Sequence, residues 1–482
     1  MDLDHDACYR AVSLRDARFD GKFFTAVKTT GIYCRPICPA RTPRSGNVTF
    51  YPTAAAAQEA GYRPCLRCRP ETAPDLGAWR GTSNTVSRGL ALIELGALDE
   101  GDVDGLANRL GVGERHLRRL FSQHLGASPV SIAQTRRVLL AKQLIHETQL
   151  PMIEIAFASG FGSVRRFNEN FQALFGRSPG QLRRAKSRHV SAGPQGEIAL
   201  SLRYRPPYDW PAMLEFLRRR AMPGIEFVTA DSYSRTIQLD GVQGTLSVRA
   251  ARANALRVTV RFPKLQALPA IIARLRRVFD LAADPVAIAA HLAEDPALAP
   301  LLKTRPGLRL PGAWDGFELA IRAVLGQQIT VTGAVNLAGR LVVKYGERLV
   351  EPAEGLTHVF PQPKALAKAQ LASLGMPGSR AATLSAVAAA ALADPHLFDA
   401  TRSLEDAVMR LRAIRGIGEW TAQYIALRQL REPDAFPAAD IGLIRGMEKL
   451  EGRPYTAAQL LDRANAWRPW RAYAAQHLWS VG

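Results

Sequence analysis

Four of the five cysteines form two tight pairs, Cys34 with Cys38 and Cys65 with Cys68, while Cys8 stands apart. Two thiols within one turn grip a metal ion from one side, and two such pairs complete a tetrahedral zinc site. The segment is therefore constrained to a small fold pinned by one Zn2+, with all four cysteines as ligands. Arginines crowd the pairs (Arg35, Arg41, Arg44, Arg63, Arg67, Arg69), a setting suited to a polyanion. A purely structural zinc ribbon uses the same spacing, and Cys8 reads as a bystander thiol.

At 482 residues the chain exceeds one ordinary core, so several domains are expected. Its 63 lysines and arginines against 43 acids leave a formal charge of +20, which favours nucleic acid as partner. An anionic membrane surface is the competing reading. No apolar run of membrane length supports it: the stretch Ala386 to Ala393 is short and ends at Asp394-Pro395. The acidic start MDLDHD is unlike a signal peptide, and metal-spaced cysteines suit a reducing compartment. A cytoplasmic, nucleoid-associated protein without membrane contact is expected.

From Val103 to Pro179 the chain repeats at a spacing of fifty. Leu117 and Phe121 correspond to Phe167 and Phe171, and Gly126, Ser128 and Pro129 to Gly176, Ser178 and Pro179. Each copy has apolar residues at helical spacing, a glycine turn, then an arginine-rich helix. That is helix-turn-helix grammar. Between the copies, Val138, Ala141 and Ile145 mark a connecting helix closed by Pro151. The pair resembles the AraC-type DNA-binding family, whose terminal signature FQALFGRSPGQLRR is similar to. The resemblance implies two recognition helices entering major-groove segments about 34 Å apart. Arg115, Arg118 and Arg119 on the first, and Arg165, Arg166 and Asn168 on the second, are the expected contacts. An operator duplex and RNA polymerase are the implied partners.

The cysteine segment, through FDGKFFTAVKTTGIYCRPICPARTPRSG and AGYRPCLRCRP, resembles the Ada-type zinc domain over about residues 8 to 72. In that family a zinc-bound thiolate removes methyl from a methylated DNA phosphate, and the motif places the acceptor at Cys34. A zinc-held thiolate stays ionised at neutral pH and nucleophilic, which suits that transfer.

Beyond a basic linker starting at Arg183, residues 198 to 262 show strand-like alternation around one helical segment, WPAMLEFLRRRA. From about 264 onward the pattern is helical. Its key motif is LRAIRGIGEWTAQYIAL, in which Gly416 and Gly418 let backbone N–H groups approach a phosphate at a helix start. Asp440 follows about twenty residues later. In isolation such a turn often binds nothing, Asp440 could simply cap a helix, and Trp467, Trp470 and Trp479 could be core.

Together these motifs resemble the helix-hairpin-helix DNA glycosylases, and over about 198 to 482 the AlkA-type 3-methyladenine glycosylases. The resemblance implies Asp440 as the carboxylate of catalysis, and Phe216, Trp420, Tyr424 and Trp479 as the base pocket. It also implies DNA contacts at Gly416, Gly418, Thr421 and Gln327, the last at a DNA-facing helix start. Trp420 stands where members that cut the backbone carry a Schiff-base lysine, so a monofunctional enzyme is expected. No cysteine follows Cys68, so no iron–sulfur cluster is expected. Gln328 departs from a leucine wedge and Ile441 from a tyrosine, and no guanine-alkyl acceptor motif P-C-H-R occurs.

The expected architecture is multidomain and mainly α with α+β parts. It comprises a small zinc-binding α+β domain (1–78), a tandem helix-turn-helix (84–187), an α+β subdomain (197–308) and an all-α helix-hairpin-helix domain (309–482). The expected function joins methyl acceptance from phosphotriesters, operator binding and excision of 3-methyladenine and other alkylated bases from duplex DNA. The alternatives are a regulator whose second half only binds DNA, and a glycosylase of broader, deaminated-base range.

Overall fold

A computed structural model describes residues 3–74, 84–99, 101–184, 197–399 and 403–481. It is multidomain and mainly helical, and divides into two compact units: 1–205 with 251–273, and 206–250 with 274–482. Among the described residues no helix is long and apolar enough to cross a membrane. Most of the basic linker expected after Arg183 lies outside the described residues.

In the first unit, strands β1 (Phe24–Val27), β2 (Ile32–Cys34), β3 (Val48–Tyr51) and β4 (Arg63–Pro64) pair in the order β3-β1-β2-β4. The hairpin β1–β2 and the pair β1–β3 are antiparallel, while β4 joins β2 in parallel. Phe24 and Ala26 face inward at the strand period of two and meet Tyr33, Ala54 and Ala57. The last two belong to the alanine-rich helix Ala54–Glu59, which Thr53 caps by accepting from the Ala56 N–H.

The repeat folds as two helical pairs, Val103–Leu110 with Glu114–Leu125 and Met152–Ala158 with Val164–Phe175. Leu117, Phe121 and Leu125, and likewise Phe167, Phe171 and Phe175, are buried along one face. Three residues at i, i+4 and i+8 share a helix side, which is why the spacing was legible. The connecting helix Pro129–Glu147 ends at Thr148, where the backbone turns extended (φ −131°, ψ 165°) and the hydroxyl donates to the Leu144 carbonyl at 2.7 Å. Pro151 stands at the cap position before the next helix, Met152–Ala158.

The four-cysteine lobe is seated on that connecting helix. Lys142 Nζ donates to Glu71 Oε2 at 2.6 Å and to the Cys65 carbonyl at 3.0 Å, with both charged side chains fully buried. Arg69 bridges Glu71 and Glu147, and the Thr53 hydroxyl donates to the Leu125 carbonyl at 2.9 Å.

The later strands are β5 (Glu197–Arg203), β6 (Glu226–Val228), β7 (Ser232–Leu239), β8 (Val242–Ala251) and β9 (Ala255–Arg261). Within the first unit β5 and β9 pair antiparallel, with Ile198, Leu200 and Leu202 buried at alternate positions. Within the second, β6, β7 and β8 form an antiparallel meander beside the helix Trp210–Arg220. The remainder is helical except for a short hairpin, Arg348–Ala353 with Leu356–His358. That hairpin is a correction to the all-helical expectation; Gly355, at φ +69°, turns it.

Candidate metal centre and base pocket

Strand β2 delivers Cys34, the turn after it Cys38, and the segment after β4 Cys65 and Cys68. The four sulfurs lie within 4.8 Å of one another. Tetrahedral zinc with sulfur bonds of 2.3 Å needs sulfurs about 3.8 Å apart, so this donor set fits that ion. The backbone N–H groups of Arg35 and Arg67 point at Cys68 Sγ and Cys65 Sγ, each at 3.3 Å. Hydrogen bonds from Cys38 push the Cys34 thiol well above the usual range, while those from Cys34 hold Cys65 well below it. Were all four sulfurs ionised this close together, they would need a cation among them. Cys34 and Cys38 are half-buried, Cys65 and Cys68 buried.

The arginine halo is only partly what its sequence suggests. Arg41, Arg44 and Arg67 are exposed, but Arg35 is 3% exposed. It pairs with Asp20 and donates to the Cys68 carbonyl and Thr72 hydroxyl. It braces the metal centre and cannot reach a polyanion. Cys8 is buried in a separate cluster with Ala11, Val12 and Phe23.

On the two arginine-rich helices, Arg115, Arg118, Arg119, Arg165, Arg166 and Asn168 are all exposed. Arg118 pairs with Glu114, and Arg165 with Glu169. Such exposed i,i+4 pairs stabilise by only about 0.3–0.5 kcal/mol and yield readily to a stronger anion.

In the second unit, Asp440 caps the helix Ile441–Glu451, so the bland reading of this residue is correct as far as it goes. Its Oδ1 accepts from the N–H groups of Gly442 (2.9 Å) and Leu443 (3.1 Å) and from Trp479 Nε1 (2.9 Å); Oδ2 accepts from Trp420 Nε1 (2.7 Å). Helix start and indoles thus fix a negative charge at one place, with Oδ2 carrying a single bond among the described residues. Trp420 stacks on Tyr424 (centroids 5.4 Å, 11°), and Tyr424 meets Trp479 edge-on at 6.4 Å. Phe216, from the helix Trp210–Arg220, lines the same cavity with all three and with Asp440. The four expected pocket residues therefore converge. Trp467, by contrast, is core, its Nε1 donating to Asp295 at 2.6 Å.

The hairpin joins helices Leu404–Arg412 and Glu419–Ile425. Gly416 has φ +86°, and a Cβ there would lie 2.0 Å from Thr383 Oγ1; a Cβ on Gly418 would meet nothing within 4 Å. Gln327 is not at a helix start. It follows the helix Gly316–Leu325 and donates to the Gly416 carbonyl (3.3 Å) and to the buried Thr421 hydroxyl (3.1 Å), tying the end of that helix to the hairpin. The chain turns at Gln328, φ +57°, and the next helix is capped by Thr330. Gln328 and Ile441 are both exposed.

Comparison with known proteins gives this geometry its context. A Mycobacterium tuberculosis protein named "Probable bifunctional transcriptional activator/DNA repair enzyme AlkA" is 42% identical over 484 aligned residues, covering all of this chain and 97% of that protein. The chain belongs to that bifunctional AlkA family. Within it, residues 7–71 match the metal binding domain of Ada, 106–185 a helix-turn-helix domain, 199–315 the AlkA N-terminal domain and 321–471 the HhH-GPD superfamily of base excision DNA repair proteins. The DNA-3-methyladenine glycosylase 2 of Escherichia coli is 36% identical over 58% of the chain and 96% of its own length. A 3-methyladenine DNA-glycosylase structure from Archaeoglobus fulgidus shares the fold over 58% of this chain and 97% of its own, at 22% identity and TM-score 0.52. The chain is thus a DNA glycosylase of the bifunctional AlkA family, joined to an Ada-type metal domain and a helix-turn-helix.

Sequence reasoning missed two residues that line this cavity, Arg428 and Arg220. A signal for the first existed: Trp420, Tyr424 and Arg428 stand at i, i+4 and i+8, and a π-turn at Ala426–Leu430 carries the series on from the helix.

Proposed function

We propose that this protein excises 3-methyladenine and other alkylated bases from duplex DNA by monofunctional glycosylase chemistry, using Asp440, and that its amino-terminal half senses the same damage. The observation carrying the first part is the carboxylate of Asp440, held by four N–H donors on the wall of an aromatic cavity. A flipped base stacks between aromatic rings, and the departing N-alkylated purine needs little acid help. Asp440 Oδ2 then faces the positive charge growing on the sugar, or positions the water that captures it. Gly416, Gly418, Thr421 and Gln327 form the phosphate-binding hairpin and its support.

In the same reading one zinc ion occupies the four-cysteine centre, where it would keep the thiolates ionised at neutral pH. Cys34 Sγ attacks the methyl carbon of a phosphotriester; the S–C bond forms as the C–O bond breaks, and an ordinary phosphodiester departs. A four-thiolate zinc centre has two net negative charges, so methylation removes one of them and with it repulsion from DNA phosphates. Operator binding through the two recognition helices tightens, and RNA polymerase is the partner recruited in the cytoplasmic nucleoid. The proposed domains are 1–78, 84–187, 197–308 and 309–482, of which 197–308 is divided between the two compact units, with β5 and β9 in the first.

Asp440→Asn tests the first part. Asparagine keeps a cap acceptor for Gly442 and Leu443 but turns an amide N–H toward Trp420 Nε1, so the fold persists while the charge is lost. Release of 3-methyladenine should vanish with duplex affinity retained; sustained turnover would refute the role. Mass spectrometry after exposure to methylphosphotriester DNA tests the second: the methyl should appear on Cys34, and a methyl elsewhere or nowhere would refute it.

A further inference from the structure

Aromatic walls alone would attract a cationic purine through their ring quadrupoles. Behind these walls, however, the protein already carries a cation. Arg428 is 3% exposed, and its guanidinium carbon lies 4.7 Å from the Phe216 ring centroid, 4.9 Å from that of Trp479 and 5.5 Å from that of Tyr424. Nη1 donates to the Pro311 carbonyl at 2.9 Å and to Gln476 Oε1 at 3.1 Å, which pins the group in place. Nε has no hydrogen-bond partner among the described residues, and the polar groups that meet this guanidinium are the Pro311 carbonyl, Gln476 and Tyr424, none of them a carboxylate. Burial pushes its pKa down only to about 10, so it is charged at neutral pH. Arg220 adds a second guanidinium, 4.1 Å from the Phe216 centroid, and both arginines line the cavity. Trp479 touches both ends of a charge gradient: its Nε1 meets Asp440 while its ring meets Arg428.

We propose that Arg428 sets the charge preference of the base pocket, weakening its hold on a base that is already cationic and favouring the step in which positive charge leaves that base for the sugar. This rests on the reading that the cavity receives the flipped base and that Asp440 faces the sugar. An N-alkylated purine is positive before its bond breaks, and like charges repel strongly where water is excluded. As the C–N bond breaks, its electron pair stays with the purine nitrogen. The base becomes neutral and the sugar takes the positive charge, next to Asp440. The repulsion from Arg428 is therefore present in the ground state and relieved in the transition state, which speeds the chemical step. A neutral lesion such as hypoxanthine suffers no such repulsion on binding. Its purine departs with negative charge developing on the ring, which Arg428 attracts. One residue thus weakens binding of cationic lesions and accelerates release of both kinds.

The test uses the full-length protein and two duplexes, one with 7-methylguanine (cationic) and one with hypoxanthine (neutral). Duplex Kd and single-turnover release rates are measured for the wild type, Arg428→Lys, Arg428→Met and Gln476→Glu. The last sets a carboxylate against Nη1 and neutralises the cation without removing it, which serves should Arg428→Met fail to fold. Met and Glu should each tighten binding of the 7-methylguanine duplex by about 3-fold or more and slow hypoxanthine release by about 10-fold or more, with Lys close to wild type. Equal loss of rate on both lesions with Kd unchanged, or Lys failing as Met does, would reduce Arg428 to packing and overturn the proposal. Wild-type protein that releases neither base sinks the reading of the site and this inference together; wild-type release of both with unshifted variants sinks the inference alone.

Discussion

Trp420 Nε1 donates to Asp440 Oδ2 at 2.7 Å while its ring stacks on Tyr424. One side chain therefore builds the pocket wall and orients the carboxylate. Trp420→Phe keeps the wall and removes the donor. A hydrogen bond to a charged group contributes about 1.5–3 kcal/mol, so base release in single turnover should fall about 10- to 100-fold. Duplex Kd should change little. A loss confined to binding would assign Trp420 to packing alone.

The two hairpin glycines should fail differently. Gly416→Ala meets Thr383 and a left-handed backbone, so it should destabilise the protein by about 1–3 kcal/mol. Gly418→Ala meets no neighbour; its melting temperature should hold while duplex affinity drops, because the added methyl group obstructs an approaching phosphate. Calorimetry with a binding titration separates the two, and unchanged affinity in Gly418→Ala would remove it from the DNA contact.

Lys142 and Glu71 form a fully buried pair. Breaking one side of such a pair costs about 3–5 kcal/mol, a figure reduced here by Arg69, which still faces Glu71. Lys142→Met should therefore lower the urea midpoint of the amino-terminal unit. Burial raises the Glu71 pKa, but Lys142 and its neighbours outweigh it and hold the carboxyl well below its ordinary 4.5. A carboxyl lowered on folding stabilises above its unfolded value and loses that contribution as pH falls. The wild type should therefore lose more stability than Lys142→Met below about pH 4.5, and parallel curves would show the pair to be inert.

His477, 5% exposed, works in a higher window. Burial, aided by Arg305, lowers its pKa from 6.5 to about 4. The unfolded chain takes up a proton first on acidification, so stability present above pH 6.5 is lost progressively toward pH 4, by roughly 2–3 kcal/mol. His477→Gln should flatten the melting curve of the second unit over that range; an unchanged slope would place the acid sensitivity elsewhere.

Residues whose role is set by local spacing were readable from the chain. The four cysteines, the inward faces at Phe167, Phe171 and Phe175, and the alternation of Ile198, Leu200 and Leu202 all follow from one helical turn or one strand period. What escaped depends on long-range partners. Arg35 looked like a surface cation because Asp20, which buries it, lies on another loop. Gln327 looked like the head of a helix, since its acceptors Gly416 and Thr421 are about ninety residues away. Arg428 was hidden twice: its charge argues for solvent, and the rings that cover it come from three separate segments.

The Thr53 hydroxyl resting on the Leu125 carbonyl ties the metal lobe to the tail end of the first arginine-rich helix. On the proposed reading, a lobe fixed there would work like the second leg of a calliper: with the helix in its groove, the reach to the backbone would be a constant. Inserting half a helical turn of DNA between an operator box and a methylated phosphate carries that phosphate to the opposite side of the duplex. A protein jointed in this way would then have to choose between the two.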